Sequence, residues 1–239
     1  MTVSTSKAPD RIAGMFDDIA GRYDLLNKVL SAGMDRRWRR RAVDGLRLTG
    51  RERLLDVCTG TGDVAIAAAR RQARGARLVV GVDFSGEMLK IGHDKVRKAS
   101  LETRVHLAQG DATRLPLPDR SFDAAVVAFG IRNVVDLDGA CGELYRVLKP
   151  GGRLAILEFG VPQTPGFSWI YQTYFRHILP RIGRAISRHR DAYEYLPVSV
   201  SEFPSNQAFA EVLRRTGFST VDVVQMTMGA VYLYLATRD

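Results

Sequence analysis

Cysteine is scarce in this 239-residue chain: Cys58 and Cys141 are all it has, too few for a disulfide framework or a cysteine-rich zinc site. The four histidines, at positions 93, 106, 177 and 189, show no paired ligand spacing. Long apolar runs are missing too. Runs such as Ala124 to Phe129 fall far short of the ~18 residues a membrane span needs, and residues 1–14 lack the apolar core of a signal peptide. These absences point to a reducing, cytoplasmic compartment and to no protein-bound metal. What is present, 46% hydrophobic and 26% charged residues, is a globular composition that excludes disorder and fibrous repeats. The length suits one domain of enzyme size.

Acidic residues are the minority, 26 against 35 Lys and Arg, for a net charge of +9. The excess is concentrated in residues 1–53, where Arg36-Arg37-Trp38-Arg39-Arg40-Arg41 dominates, and in residues 161–200, with Arg181, Arg184, Arg188 and Arg190. Such patches attract nucleic acid, anionic headgroups or acidic small molecules. The plain alternative is a solvated helix face.

From Arg53 onward apolar runs alternate with amphipathic stretches. Strands are expected at 53–58, 78–83, 105–109, 122–129 and 154–159, with helices over 63–73, from a Ser85 cap to about 98, and over 137–148. The last of these helices stops at Lys149-Pro150-Gly151-Gly152, where Pro and Gly cannot continue it. Continuous apolar strands alternating with helices mean a parallel sheet covered on both faces, a doubly wound α/β fold. After 160 the pattern breaks into an aromatic, basic and helical stretch. A helix at 207–216 and strands at 221–226 and 230–236 follow, the strands too closely connected to be anything but antiparallel. One domain is expected: an N-terminal helical cap (1–50), a cofactor-binding core (51–160), a helical insert facing substrate or membrane (161–204) and a closing helix with a strand pair (205–239).

Ligands of doubly wound sheets bind outside the carboxyl ends of the strands. Those ends read Asp56-x-Cys58-x-Gly60-x-Gly62, Asp83, Asp111-Ala112 and Gly130-Ile131-Arg132-Asn133. Gly60 and Gly62 let backbone N–H groups approach a ligand closely. Asp83, 23 positions after Gly60, suits the two hydroxyls of an adenosine ribose. Asp111-Ala112 suits an adenine edge, the alternative being a helix cap. Gly60 to Ala65 also fits the dinucleotide fingerprint, and Tyr145-x-x-x-Lys149 has a dehydrogenase-like spacing. That pair, however, enters a strand instead of leaving one, which favours a plain helix face.

Three stretches carry a resemblance to a known family: Tyr23-Asp24-Leu25-Leu26-Asn27-Lys28 through Trp38, Phe129-Gly130-Ile131-Arg132-Asn133, and Tyr145 through Lys149-Pro150-Gly151-Gly152 to Leu157-Glu158-Phe159. Together with Tyr195-Leu196-Pro197-Val198-Ser199, they resemble the ubiquinone/menaquinone biosynthesis C-methyltransferases over nearly the whole chain from Phe16. Asp35 stands where many members have His, Leu26 where many have Met, and Cys58 where the glycine loop usually begins with Gly. Ala128 replaces a serine of some ubiquinone-pathway members, which tilts the reading towards menaquinone.

The resemblance implies a class I S-adenosylmethionine-dependent methyltransferase fold, a Rossmann-like sheet ending in an antiparallel strand, with N-terminal helices and a helical insert before the last two strands. It implies S-adenosylmethionine as methyl donor, contacted by Thr61, Asp83, Asp111 and Ala112, with Gly60 and Gly62 giving backbone clearance. Tyr23 closes over the donor or, alternatively, staples its helix to the sheet. The acceptor it implies is a reduced polyprenylated quinone, demethylmenaquinol above all, with the demethylated benzoquinol precursor of ubiquinone as alternative. A quinol carbon beside a phenolic oxygen is nucleophilic whereas the oxidised ring is not. Arg132 and Asn133 are the candidates to bind the developing phenolate, the alternative being a loop cap. Tyr171, Tyr174, His177 and Tyr195 are left unranked as further candidates. The aromatic segment Phe167 to Phe175 and the four arginines after it suit transient contact with an anionic membrane surface, the alternative being a roof over the acceptor. A methyltransferase of another small acceptor competes with this reading. So does a nucleic-acid-binding module, against which stands the lack of a recognition motif. Association of two copies is left open.

Overall fold

The structure is a computed structural model, and it describes residues 9–71, 75–174, 191–204 and 206–239. Two helices, α1 (Pro9–Leu30) and α2 (Asp35–Gly45), precede the sheet. The alternating part runs β1 (Arg53–Val57), α3 (Asp63–Arg70), β2 (Leu78–Asp83), α4 (Gly86–Lys98), β3 (Val105–Gln109), β4 (Phe122–Ala128), α5 (Leu137–Val147) and β5 (Leu148–Phe159). Then follow α6 (Phe167–Thr173), α7 (Asp191–Glu202), α8 (Asn206–Thr216), β6 (Phe218–Met226) and β7 (Val231–Arg238).

The seven strands lie in the order β3-β2-β1-β4-β5-β7-β6. β1 to β5 are parallel, whereas β7 runs antiparallel to both β5 and β6. Alternation along each strand sends apolar side chains to both faces. Leu54, Ala124, Ala155 and Leu233 pack with Trp38, Ala42 and Val43 of α2 and with Ala65, Ala68 and Ala69 of α3. Leu55, Val57, Ala125 and Ile156 pack with Cys141 and Leu144 of α5 and Phe209 and Leu213 of α8. A smaller third cluster, including Ile19, Leu26, Met88 and Val200, fastens α1 to α4 and α7.

The strand and helix order expected from the sequence is present, with several boundaries moved: α3 ends at Arg70, not 73, β6 begins at Phe218, not 221, and β5 shifts most. β5 begins at Leu148, not 154. Leu148 pairs with Phe122 and the register then jumps to Ala124–Arg153, so Lys149-Pro150-Gly151-Gly152 is looped out within the strand instead of preceding it. Ser85 caps α4, its hydroxyl accepting from Met88 N at 3.1 Å. The Tyr145–Lys149 pair has no dehydrogenase geometry: Lys149 bonds Asp123 at 2.6 Å, and the Tyr145 ring packs on Phe218 and under the Arg238 guanidinium. No helix among the described residues is long and apolar enough to cross a membrane. Phe175, His177 and the arginines at 181, 184, 188 and 190 lie outside the described residues.

Candidate active site

At the carboxyl ends of β1, β2, β3 and β4, below α1, lies a cavity of about 230 Å³. Asp83, Asp111, Ala112, Asn133 and Tyr23 all line it. Asp83 ends β2, and its two carboxylate oxygens accept from Gly60 N at 2.7 Å and Ser85 N at 2.9 Å. Burial pushes its carboxyl above the ordinary value, against those backbone donors. Asp111 holds its own turn through Thr113 N and Oγ1, both at 2.8 Å. Gly60 and Gly62 have φ of +56° and +78°, the left-handed conformation that a glycine adopts without penalty. Two bulkier residues share it here: Cys58 (φ +56°) after β1 and Phe129 (φ +62°) after β4, both in the wall of this cavity. Strain of that kind is held where neighbours over-determine it. Cys58 lies directly on Gly130, where an added Cβ would come 2.2 Å from the Cys58 Cβ.

Thr61 is placed differently from Asp83. It borders a narrow crevice beside the glycine loop, not the main cavity, and its hydroxyl bonds Asp24 at 2.7 Å while accepting from Lys95 at 2.9 Å. Lys95 also reaches Asp63 and Asp24, and Arg39 joins Asp63 to Asp35 at 2.9 and 3.2 Å. Thr61 thus sits in a charged latch holding α1 and α2 onto the glycine loop. The arginine run of α2 is divided by helix geometry: Trp38 is buried, Arg39 turns inward to Asp63, and Arg36, Arg37, Arg40 and Arg41 face outward.

A second cavity, about 320 Å³, adjoins the first. Phe16, Tyr23 and Phe129 line both. Its walls are apolar: Ile19, Leu26 and Leu30 of α1, Trp38 of α2, Phe159 of β5 and Leu196 of α7. Phe167, Tyr171 and Tyr174, at i, i+4 and i+7 of one stretch, roof it, while Trp169 points out and is 72% exposed.

Arg132, in a 3₁₀ turn after β4, enters this chamber and is only 6% exposed. Its Nη1 donates to Glu158 Oε1 at 2.8 Å and to the Phe129 carbonyl at 2.5 Å, and its guanidinium lies 5.4 Å from the Phe159 ring centre. Glu158, fully buried near the end of β5, also accepts from Phe159 N and Arg132 N. Arg132 Nε is buried with no partner among the described residues. The same holds for Tyr195 Oη and Asn27 Nδ2 in this chamber, and for Asn133 Oδ1 in the first cavity. Buried polar atoms left open at a cavity wall suit a ligand. Arg132 and Asn133, neighbours in sequence, therefore face different cavities.

Sequence reasoning missed Glu158, Arg39 and Asn27. Glu158 answers to the strand-end rule applied to β5, and Arg39 to the 3.6-residue period of α2. Nothing local singles out Asn27. Among the described residues no group of three or more His, Cys, Asp or Glu could hold a metal ion.

The strand order and the cleft at the strand ends define the class I fold of S-adenosylmethionine-dependent methyltransferases. Solved structures show the same fold: a putative S-adenosylmethionine-dependent methyltransferase of Methanococcus maripaludis superposes with a TM-score of 0.65 at 20% identity over 93% of each chain. The cyclase SpnF gives 0.73 at 21% identity over 97% of each. The ubiE/COQ5 methyltransferase family matches residues 2–238, and the chain belongs to that family. It is 46% identical to the ubiquinone/menaquinone biosynthesis C-methyltransferase UbiE of Geobacter sp. strain M21, covering 98% of each chain. It is 47% identical to the demethylmenaquinone methyltransferase of Thermus thermophilus, over 94% of this chain and all of that one.

Proposed function

We propose that this chain transfers a methyl group from S-adenosylmethionine to a ring carbon of a reduced polyprenylated quinone, with demethylmenaquinol as acceptor and menaquinol as product. The observation that carries the reading is the pairing of cavities: one edged by the strand-end carboxylates Asp83 and Asp111 and a more apolar one beside it, sharing Phe16, Tyr23 and Phe129 as a wall. An isoprenoid-bearing ring needs an apolar chamber, and two reactants in adjoining cavities meet at the shared wall. Relatives named for this chemistry at 46–47% identity support it.

S-adenosylmethionine supplies a methyl group already activated on a sulfonium. The residues of the first cavity fit it: Asp83 for the ribose hydroxyls, Asp111-Ala112 for the adenine edge and Asn133 Oδ1 as an open acceptor, with Gly60 at the narrow crevice beside it and Gly62 capping α3. Thr61 acts at one remove, fixing Asp24 and hence the turn of α1 that carries Tyr23. Positioning is the chain's largest contribution, up to ~7–11 kcal/mol for well-aligned reactants. In the second chamber Arg132 stabilises the phenolate that forms as the ring carbon becomes nucleophilic. A guanidinium stays protonated, so its role is electrostatic. The apolar walls exclude water and strengthen that interaction.

The experiment is label transfer from methyl-labelled S-adenosylmethionine to chemically reduced demethylmenaquinone, with the demethylated benzoquinol precursor in a parallel tube. Label in the naphthoquinol supports the reading, and label in both acceptors extends it to two pathways. Donor binding without label in either contradicts it.

A membrane-dissolved acceptor calls for contact with the bilayer. Trp169, exposed on α6 above the chamber, and the outward arginines of α2 suit an anionic surface. Flotation with anionic vesicles at low salt should carry the protein, and Trp169→Ala should weaken flotation without changing the melting temperature. Failure of the unmodified protein to float contradicts this part.

A further inference from the structure

Four aromatic or titratable side chains of the insert compete for a place beside the acceptor ring, and hydrogen bonding separates Tyr174 from Tyr195. Tyr174 spends its hydroxyl on the Leu30 carbonyl at 2.8 Å. Tyr195 does not. It is 5% exposed, it lines the acceptor chamber, and its hydroxyl has no partner among the described residues. α7, which carries it, packs against both α1 and the 3₁₀ turn of Arg132. Burial raises the Tyr195 hydroxyl above its ordinary value, with the Arg132 and Arg11 charges pulling down and the Glu202 and Glu158 charges pushing up. The hydroxyl is therefore a neutral donor at physiological pH, close enough to Arg132 to feel its charge. Arg132, which lines the same chamber, adds a donor: its Nη1 is committed to Glu158 and Phe129, whereas its Nε is buried with no partner among the described residues.

We infer that Tyr195 Oη and Arg132 Nε together form a two-donor site for the phenolate oxygen of the acceptor, with Tyr195 a catalytic residue of the transfer. The inference rests on the quinol reading above. Two fixed donors in a dry chamber are the arrangement that stabilises a developing oxyanion. Both keep their protons throughout. The new C–C bond forms as the donor's C–S bond breaks, the ring proton is then lost, and one proton per turnover leaves to water. Holding two polar atoms without partners in an apolar wall costs free energy, which an arriving acceptor oxygen offsets.

The test uses the full chain and the Tyr195→Phe variant. A chromogenic nitrophenol, whose absorbance reports its ionisation, is titrated in the presence of S-adenosylhomocysteine. The variant should bind the phenolate form about 10- to 100-fold more weakly, as expected for a lost hydrogen bond to a charged acceptor, while binding the neutral phenol within about twofold. Turnover of reduced demethylmenaquinone should fall about 100-fold in kcat with KM little changed. The loss should shrink with acceptors of more acidic phenol. The melting temperature should hold or rise, because the deleted hydroxyl has no partner to lose. Equal weakening of both probe forms, or an unchanged phenolate affinity, overturns the donor pair even if the unmodified enzyme labels the quinol. Preferential phenolate binding that depends on Tyr195, in a protein that labels no quinol, overturns the quinol reading instead and leaves the donor pair standing.

Discussion

Replacing Glu158 by glutamine keeps the side chain's shape and removes its charge, so it isolates what the buried carboxylate does for Arg132. The carboxylate is fully buried and accepts from Arg132 Nη1 at 2.8 Å, Phe159 N at 2.8 Å and Arg132 N at 3.3 Å. An amide can keep its oxygen on the first two, but its NH₂ then faces the Arg132 N–H, donor to donor. The guanidinium stays buried with only neutral partners, the amide oxygen, the Phe129 carbonyl and the Phe159 ring. Removing one partner of a buried ion pair costs about 3–5 kcal/mol, because the other charge is left uncompensated. For a chain of this length that is a fall of roughly 6–20 °C in melting temperature. The bond that aims the guanidinium persists but turns from a charge-assisted to a weaker one, so kcat should drop by about tenfold, with donor affinity unchanged. Thermal melts read by circular dichroism, beside label transfer, measure both. A double variant, Glu158→Gln with Arg132→Met, should recover much of the stability and none of the turnover, since no uncompensated charge is then left buried. A single variant as stable and active as the parent, or a double variant no more stable than the single, would refute this reasoning.

The ligand-free protein should lose stability as pH rises from 5 to 8. Burial drives the Asp56 carboxyl up to about 7 against the Thr59 hydroxyl bond. A carboxyl raised on folding contributes fully below its unfolded value near 4, and that contribution is lost as pH rises through 7, at up to about 1.4 kcal/mol per unit. Asp83, also raised, adds in the same direction. Glu52, held down to about 2, acts only on the acid side. Asp56→Asn should flatten the alkaline slope in melting temperature, and an unchanged slope would contradict the assignment. Gly130→Ala should destabilise by about 1–3 kcal/mol through overpacking against Cys58, and Cys58→Gly in the same chain should restore stability, as equilibrium denaturation would show. Asp83→Ala should weaken S-adenosylhomocysteine binding at least tenfold by calorimetry, since Gly60 N and Ser85 N lose their acceptor along with the ribose.

The central sheet is legible in the sequence because each parallel strand is a continuous apolar run cut off by Gly or Asp, and the short link around Thr227-Met228-Gly229 forces an antiparallel close. β5 reads short because Lys149-Pro150-Gly151-Gly152 has turn chemistry; only the pairing of Leu148 with Phe122 makes it a bulge within a strand. Asp83 and Asp111 are found by position at strand ends, and the structure brings both to one cavity. Thr61 is expected at the donor and instead spends its hydroxyl on Asp24, a contact 37 residues away in sequence that no local pattern announces. The arginine run reads as one patch until the helix period splits Arg39 from its neighbours. The wall shared by the two cavities joins Phe16, Tyr23 and Phe129, which are brought together because α1, packed on α4, lines both cavities. Tertiary packing, not local sequence, decides that.

The central claim is that donor and acceptor meet across that wall. A crystal structure of the full chain with S-adenosylhomocysteine and a short-tailed naphthoquinol measures it most directly. The account predicts the sulfur between Tyr23 and Phe129, the reacting ring carbon facing it from the apolar chamber, and the neighbouring ring oxygen on Arg132. An acceptor ring bound outside the chamber, or with its oxygen remote from Arg132, would contradict it.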